Sequence, residues 1–220
     1  MKVEIWSDIM CPFCYIGKRR FENALQEFQH NNEIKIEWKS FLLNRAIRTD
    51  PGKNINQYLS ETKGWSPEQA KQANNYVTKM AKEVGLNYDF NKVVVANTFD
   101  AHRLIQLGKA NKKSGETQER LFKAYFIEGR NIADHNILKL LGTEVGLPVD
   151  AIKKLLNSDE YSHNVEKDII DAHLMGVRAV PYFVFNDQYA VSGAQRKETF
   201  LDALNKAWHE WENRKPELKL

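Results

Sequence analysis

Cys11 and Cys14 are the only cysteines in the chain, and they stand in the run Cys11-Pro12-Phe13-Cys14. Two thiols this close can share a disulfide, and so can exchange two electrons with another disulfide. A helix beginning at such a pair makes the two sulfurs unequal. The first N–H groups of a helix lack intrahelical acceptors and carry the positive end of its dipole, which favours negative charge at the N-cap. Cys11 is expected at that position, more thiolate than a free thiol of pKa about 8.5, and therefore as the nucleophile. Cys14 falls one turn later, where the helix start buries it. It is expected to hold its proton more tightly and to act as the resolving thiol. Pro12 suits the first helical position, where no N–H is needed.

Two other uses of the pair compete. As a staple, so short a loop gives about 2 kcal/mol, against about 4.7 kcal/mol for a 100-residue loop. As a metal site, the pair needs two more ligands. The six histidines show neither a His-x-x-x-His nor a His-Glu-x-x-His spacing, so no metal is expected.

Val180-Pro181 is the second signal. Only about 5–6% of X–Pro bonds in folded proteins are cis, but beside a Cys-x-x-Cys pair the cis reading is preferred. A cis bond would turn the Val180 backbone towards the cysteines, where an extended peptide or glutathione could pair with its N–H and C=O. Asn97 and Thr98 are candidates to line the cleft, or simply to cap a helix. Ser192 and Gln195 are candidates for the polar end of a substrate, and Ser192 equally for a helix cap. Gly193 suits a turn or a close backbone approach. His102 could carry a proton, but more often such a histidine is at the surface or satisfied by a partner. The aromatic residues Tyr58, Trp65, Tyr76, Tyr88, Phe90, Phe99, Phe122, Tyr125 and Phe126 read mainly as core.

The elements that position these residues follow from periodicity. Lys2–Trp6 reads as a strand, Pro12–Gln29 as a helix and Ile34–Lys39 as a second strand. This βαβ order makes the two strands parallel, with a right-handed crossover. From Ile55 to Met175 the pattern is helical only. Ser66-Pro67-Glu68-Gln69 carries a capping box. Further helices are expected over Asn97 or Thr98 to Lys109, Thr117–Glu128, His135–Val145, Val149–Asn157 and Asp159–Met175. Asp134 is a candidate cap, and Gly146 and Gly176 are candidate C′ residues. Then Val180–Phe185, a turn at Asn186-Asp187-Gln188 and Tyr189–Val191 form a hairpin. A last helix runs over Lys197–Glu212, followed by a charged, fraying tail, Asn213–Leu220. The predicted class is α/β. Residues 1–54 (βαβ) and 176–220 (ββα) form one unit, and 55–175 is an all-helical insertion between its halves.

Composition closes off other classes. The chain has 220 residues, 42% hydrophobic and 28% charged, an ordinary globular mix. Its 32 basic and 29 acidic residues leave +3, too little to indicate nucleic acid or a polybasic membrane anchor. No apolar run nears the roughly 20 residues of a membrane span. There is no phosphate loop and no GxGxxG before a helix. An export signal of about 15–30 removable residues would swallow the cysteine pair. A thiol-reducing cytoplasm is therefore the expected compartment.

Taken together, Cys11-Pro12-Phe13-Cys14-Tyr15-Ile16-Gly17, Asn97-Thr98, Ala101-His102-Arg103-Leu104, Gly176-Val177, Val180-Pro181-Tyr182-Phe183 and Ser192-Gly193-Ala194-Gln195 resemble the DsbA family, and within it the FrnE-like thiol oxidoreductases. The resemblance covers nearly the whole chain. It implies a thioredoxin-like fold with a helical insertion, Cys11 as attacking thiol, Cys14 as resolving thiol and Val180-Pro181 as a cis-proline loop. It also implies no bound cofactor, glutathione or another thiol as co-substrate, and a disulfide- or dithiol-containing protein or small molecule as partner. The related kappa-class glutathione transferases and 2-hydroxychromene-2-carboxylate isomerases supply the alternative, a glutathione-dependent reaction on a small aromatic substrate. Those proteins typically carry serine where Cys11 stands and lack the second cysteine. Exported DsbA-type oxidants carry histidine between the cysteines. Phe13 brings no such charge, so a less oxidising couple is expected here.

Overall fold

The computed structural model describes residues 1–214. Lys2–Ser7 forms β1, Pro12–Glu27 α1 and Lys35–Ser40 β2, with a single 3₁₀ turn at Asn31–Glu33 before β2. Tyr182–Phe185 and Tyr189–Ser192 form a later hairpin, β5 and β6. These four strands make one sheet in the order β2-β1-β5-β6. β1 runs parallel to β2, as a crossover through α1 requires, and antiparallel to β5. The strand order is that of a thioredoxin-like unit. Asn186 and Asp187 both have positive φ, and Gln188 N–H returns to the Phe185 carbonyl, which closes the hairpin tightly.

Helix α1 and the last helix, α9 (Lys197–Arg214), cover one face of the sheet. Phe21 of α1 meets Phe183 and Phe185 of β5 and Phe200 of α9 in an aromatic cluster, with centroids 5.4, 6.2 and 5.9 Å away. All four side chains are fully buried. The helix α9 extends through Asn213 and Arg214, two residues assigned to the tail in the sequence reading. The rest of that tail lies outside the described residues.

Between the two parts of the sheet lie α2 (Ile55–Lys63), α3 (Pro67–Glu83), α4 (Phe99–Ala110), α5 (Ser114–Phe126), α6 (His135–Glu144), α7 (Val149–Leu156) and α8 (Ser162–Leu174). Ser66 and Gln69 make the capping box that starts α3. Asp134 accepts from Asn136 and Ile137 N–H at the start of α6. Gly85, Gly146 and Gly176 adopt positive φ just beyond their helices.

Residues 55–175 are not purely helical, and residues 1–54 hold more than βαβ: Asp50–Asn54 (β3), an extra strand at the end of the first part, pairs antiparallel with Val94–Val95 (β4) inside the insertion, with a register irregularity between Asp50 and Asn54. Neither strand carries a readable pattern. Asp50-Pro51-Gly52 reads as a turn, and two valines are too short a run to show alternation. The insertion docks on α1 through a second aromatic layer. Tyr15 stacks on Phe122 of α5 at 4.8 Å and on Tyr88 at 6.0 Å, and Tyr88 stacks on Phe126 at 4.7 Å. Trp65 and Tyr76 depart from the expected core and are exposed.

Candidate active site

The chain leaves the sheet at Ser7, turns through Asp8-Ile9-Met10 and enters α1 at Cys11. Cys11 is the N-cap, with extended φ and ψ (−87° and 110°), and Pro12 follows at the first helical position. The Cys11 N–H donates to the Asp8 carbonyl, and the Cys14 N–H to the Cys11 carbonyl, each at 3.0 Å. These bonds fix the turn that brings the two side chains to the same end of α1. Both thiols are free. Cys11 is 4% exposed and Cys14 1%, whereas Phe13 between them is 38% exposed.

The Val180–Pro181 bond is cis. The Cys11 thiol donates to the Val180 carbonyl at 3.4 Å. The loop reaches α1 because of Gly17. A Cβ there would come within 2.9 Å of Pro181 Cγ, so only glycine lets the proline ring lie on the helix undisturbed. The Gly193 N–H donates to the Pro181 carbonyl at 2.8 Å, which ties the Ser192–Gln195 turn to the same loop.

Burial, with the Cys11 sulfur next, pushes the Cys14 thiol well above the ordinary thiol range, while Ser7 and the Asp8 backbone pull it the other way. Asp8 is completely buried. Its carboxylate accepts from Leu43 N–H (2.7 Å), Thr98 Oγ1 (2.8 Å) and Met10 N–H (3.3 Å), and His102 Nε2 lies 3.4 Å away. Tyr88 donates to the Pro12 carbonyl at 2.9 Å. Burial pushes the Tyr88 hydroxyl far above its ordinary range, as it does those of Tyr15 and Tyr125.

The structure thus brings Cys11, Pro12, Phe13, Cys14, Val180 and Pro181 together. Asn97 has another task. Its Nδ2 donates to the Ile47 carbonyl and its Oδ1 accepts from Phe99 N–H, so it holds the 41–49 loop to the start of α4. The Thr98 hydroxyl makes no cap hydrogen bond and goes to Asp8 instead. Ser192 does not cap α9. It ends β6, while the helix begins at Lys197. Ser192 and Gln195 are exposed beside the proline loop, and Gln195 Nε2 bonds the Ser192 carbonyl. His102 is buried rather than at the surface. Sequence reasoning missed Ser7, Asp8 and Gln118. The Ser7-Asp8 pair, polar residues directly after an apolar strand and just before the cysteines, was the available signal.

An apolar cavity of about 70 Å³ adjoins the motif, lined by Met10, Pro12, Tyr58, Phe90, Tyr125 and neighbours. Among the described residues no group of three or more His, Cys, Asp or Glu side chains is placed to hold a metal ion. Nor is any described helix long and apolar enough to cross a membrane.

Residues 2–205 match the DSBA-like thioredoxin domain. The chain is similar to the crystal structure of the probable DsbA oxidoreductase SCO1869 from Streptomyces coelicolor. The two share 34% identity and a TM-score of 0.90, over 96% of this chain and 91% of that one. The fold is also similar to a 2-hydroxychromene-2-carboxylate isomerase, at 16% identity and a TM-score of 0.70, over 97% of this chain and 98% of that one. A third similar fold is the cytosolic disulfide reductase DsbM from Pseudomonas aeruginosa, at 14% identity and a TM-score of 0.62, over 97% and 98% of the two chains. DsbM has also been solved with glutathione.

Proposed function

The chain belongs to the DSBA-like thioredoxin domain family, and we propose that it is a thiol–disulfide oxidoreductase working through the Cys11/Cys14 couple. One observation carries the reading: the Cys11 sulfur faces the Val180 carbonyl of a cis-proline loop, with Cys14 buried behind it. The Cys11 thiolate attacks a substrate disulfide. One substrate sulfur leaves as a thiolate and takes up a proton from solvent, and the other stays bound to Cys11. Cys14, as thiolate, then attacks the Cys11 sulfur. The Cys11–Cys14 disulfide forms, the second substrate thiol leaves, and the substrate has gained two electrons. An external thiol such as glutathione, found bound to the similarly folded DsbM, resets the enzyme. Run backwards, the cycle oxidises a substrate dithiol.

In this reading residues 1–54 and 176–220 supply the redox unit, and 55–175 covers it. Substrate backbone pairs with Val180, and Ser192 and Gln195 meet its polar end. A FrnE-like role in the cytoplasm, on disulfide- or dithiol-containing proteins or small molecules, fits a chain that keeps both cysteines. The similarity to the isomerase fold supports a second reading, a glutathione-dependent isomerisation or transfer on a small aromatic substrate.

Single-cysteine variants separate the two. Cys11→Ser is expected to lower thiol-driven insulin reduction at least about 100-fold, and Cys14→Ser to trap substrate as a mixed disulfide on Cys11. Full insulin reduction by Cys11→Ser refutes the redox reading. Glutathione-dependent turnover of an aromatic substrate that survives Cys14→Ser establishes the second.

A further inference from the structure

Two adjoining chambers lie where the insertion meets the start of α1. The apolar one, of about 70 Å³, has Pro12 in its wall, the residue that follows Cys11. Val93, Tyr125 and Phe126 are buried behind it, whereas Pro12, Leu59 and Phe90 are half-buried. The polar one, of about 210 Å³, is lined by Asn56, Asn74, Asn75, Thr78 and Asn91 together with Lys71 and Asp89. Asn74 and Phe90 line both chambers.

The linings say what fits. Asn74, on α3, is 7% exposed, and its Nδ2 donates to Asn56 Oδ1 at 2.7 Å. Among the described residues no donor reaches its Oδ1. A buried amide oxygen ordinarily has a donor, so this one is matched by a ligand that brings an N–H. One cation and one anion line the polar chamber, and its other polar groups are neutral amides and a hydroxyl. That set suits the neutral amides of a main chain better than a carboxylate or a phosphate. Size narrows the other end. A cavity of about 150 Å³ takes a benzene molecule. At roughly half that volume, the apolar chamber is too small for an aromatic ring and suits a branched aliphatic side chain.

We propose that the two chambers form a specificity subsite for protein substrates. The apolar chamber takes an aliphatic side chain next to the substrate cysteine, and Asn74 Oδ1 accepts a main-chain N–H from the same stretch. Neighbouring Cα atoms are about 3.8 Å apart, so a residue one or two places from a cysteine bonded to Cys11 reaches the wall that contains Pro12. This subsite deepens the oxidoreductase reading above, on which it rests. It favours protein disulfides over glutathione, whose cysteine has a γ-linked glutamate and a glycine as neighbours. Leu59 sets the size of the chamber and stands outside the sulfur chemistry.

Tripeptide amides test it, with cysteine in the middle, glycine on one side and a varied residue on the other. Each carries thionitrobenzoate on its cysteine sulfur. The Cys11 thiolate attacks the peptide sulfur, the peptide stays bonded to Cys11, and coloured thionitrobenzoate leaves with the electron pair of the broken S–S bond. In stopped-flow traces of the reduced protein, a leucine peptide is expected to have a second-order rate constant at least about tenfold above that of the glycine peptide. A tryptophan peptide should fall below leucine. Leu59→Trp fills the chamber and should bring leucine down to the glycine rate, with the glycine rate itself within about twofold of wild type. Asn74→Leu should slow every peptide about fivefold, and leave unchanged the mercaptoethanol derivative, which has no main chain.

Equal rate constants for leucine and glycine at both positions overturn the subsite. So does a leucine preference that persists in folded Leu59→Trp, a tryptophan peptide that outruns leucine, or wild-type peptide rates in Asn74→Leu. Where thermal melting shows that Leu59→Trp fails to fold, Leu59→Phe decides by the same criteria. A wild-type protein that releases no thionitrobenzoate even from the mercaptoethanol derivative defeats the oxidoreductase reading instead, so the two failures are distinguishable.

Discussion

The two cysteines stand between unlike walls. Cys11 faces main chain and proline: the Val180 carbonyl, the Pro181 ring resting on Gly17, and the exposed Phe13 beside it. Behind the start of α1, on the Cys14 side of the motif, the β1–α1 turn is held by polar side chains that are fully or almost fully buried: Asp8 with Thr98 and His102, and Ser7 with Gln118. The first wall depends on shape, because backbone groups and a proline ring hold their places through packing. The second depends on hydrogen bonds, because each polar atom in it is out of reach of water. On the proposed function, the Cys11 sulfur is therefore presented on a surface that a substrate backbone can replace. The Cys14 sulfur lies on the side that no substrate need touch. Mutations at the two walls should fail in different ways.

The largest effect should come from the polar wall. Asp8→Ala removes the acceptor for Leu43 N–H, Met10 N–H and the Thr98 hydroxyl, and leaves His102 without its carboxylate. Each buried donor left unmatched costs about 1–3 kcal/mol. A loss of at least about 3 kcal/mol is expected in denaturant unfolding, with Asp8→Asn in between, since an amide there turns a donor towards donors. A loss under about 1 kcal/mol would mean that water reaches this wall, and the contrast between the two would disappear.

The shape wall should respond to volume. In an ordinary helix interior, Gly→Ala gains up to about 1 kcal/mol. At Gly17 the added methyl meets Pro181 Cγ at 2.9 Å, and a clash of this kind costs about 1–3 kcal/mol. The clash is expected to win, giving a net loss of about 1 kcal/mol. Gly115, on α5, is the control. A Cβ there has its nearest neighbour at 3.8 Å, so Gly115→Ala should be neutral or stabilising. Insulin reduction should fall in Gly17→Ala, because the loop bearing Val180 moves off the helix, and hold in Gly115→Ala. Equal melting temperatures and activities in the two variants would show that the loop yields without consequence.

The same contrast explains what the sequence disclosed. The shape wall was legible because its signals are local. Cys-Pro-Phe-Cys at a strand-to-helix junction and Val-Pro before an apolar strand each announce their geometry within a few residues. So do Ser66 and Asp134 at their helix starts. The polar wall joins residues distant in the chain: Thr98 lies 90 positions from Asp8, and Gln118 lies 111 from Ser7. Nothing in a short window reports such a pairing. His102 reads as a histidine at the surface or satisfied by a partner, and only α4 packed against the β1–α1 turn shows the partner to be Asp8. Asn97 reads as a cleft residue or a helix cap; its Oδ1 does accept at the start of α4, while its Nδ2 serves a neighbouring loop. The β3–β4 pair escaped for the same reason, since two valines become a strand only when a partner runs beside them.

The smallest expected effect sharpens the comparison by pH. Burial raises the Cys14 thiol in the folded protein, while in the unfolded chain it ionises near about 8.5. A group whose folded pKa is raised contributes fully below the unfolded value and loses that contribution as pH climbs beyond it. Above that point the unfolded chain has released its proton and the native state has not, so unfolding gains about 1.4 kcal/mol per pH unit. Cys14 should therefore take about 1 kcal/mol from the reduced protein between pH 9 and 10 in urea unfolding. Oxidised protein, in which Cys14 cannot titrate, should lose about 1 kcal/mol less than reduced protein over that interval. From about pH 9 both also decline, as the unfolded chain ionises Tyr15, Tyr88 and Tyr125 while burial holds them protonated in the fold. Curves that coincide for the two redox states from pH 8 to 10 would place Cys14 in contact with solvent and make the two walls alike.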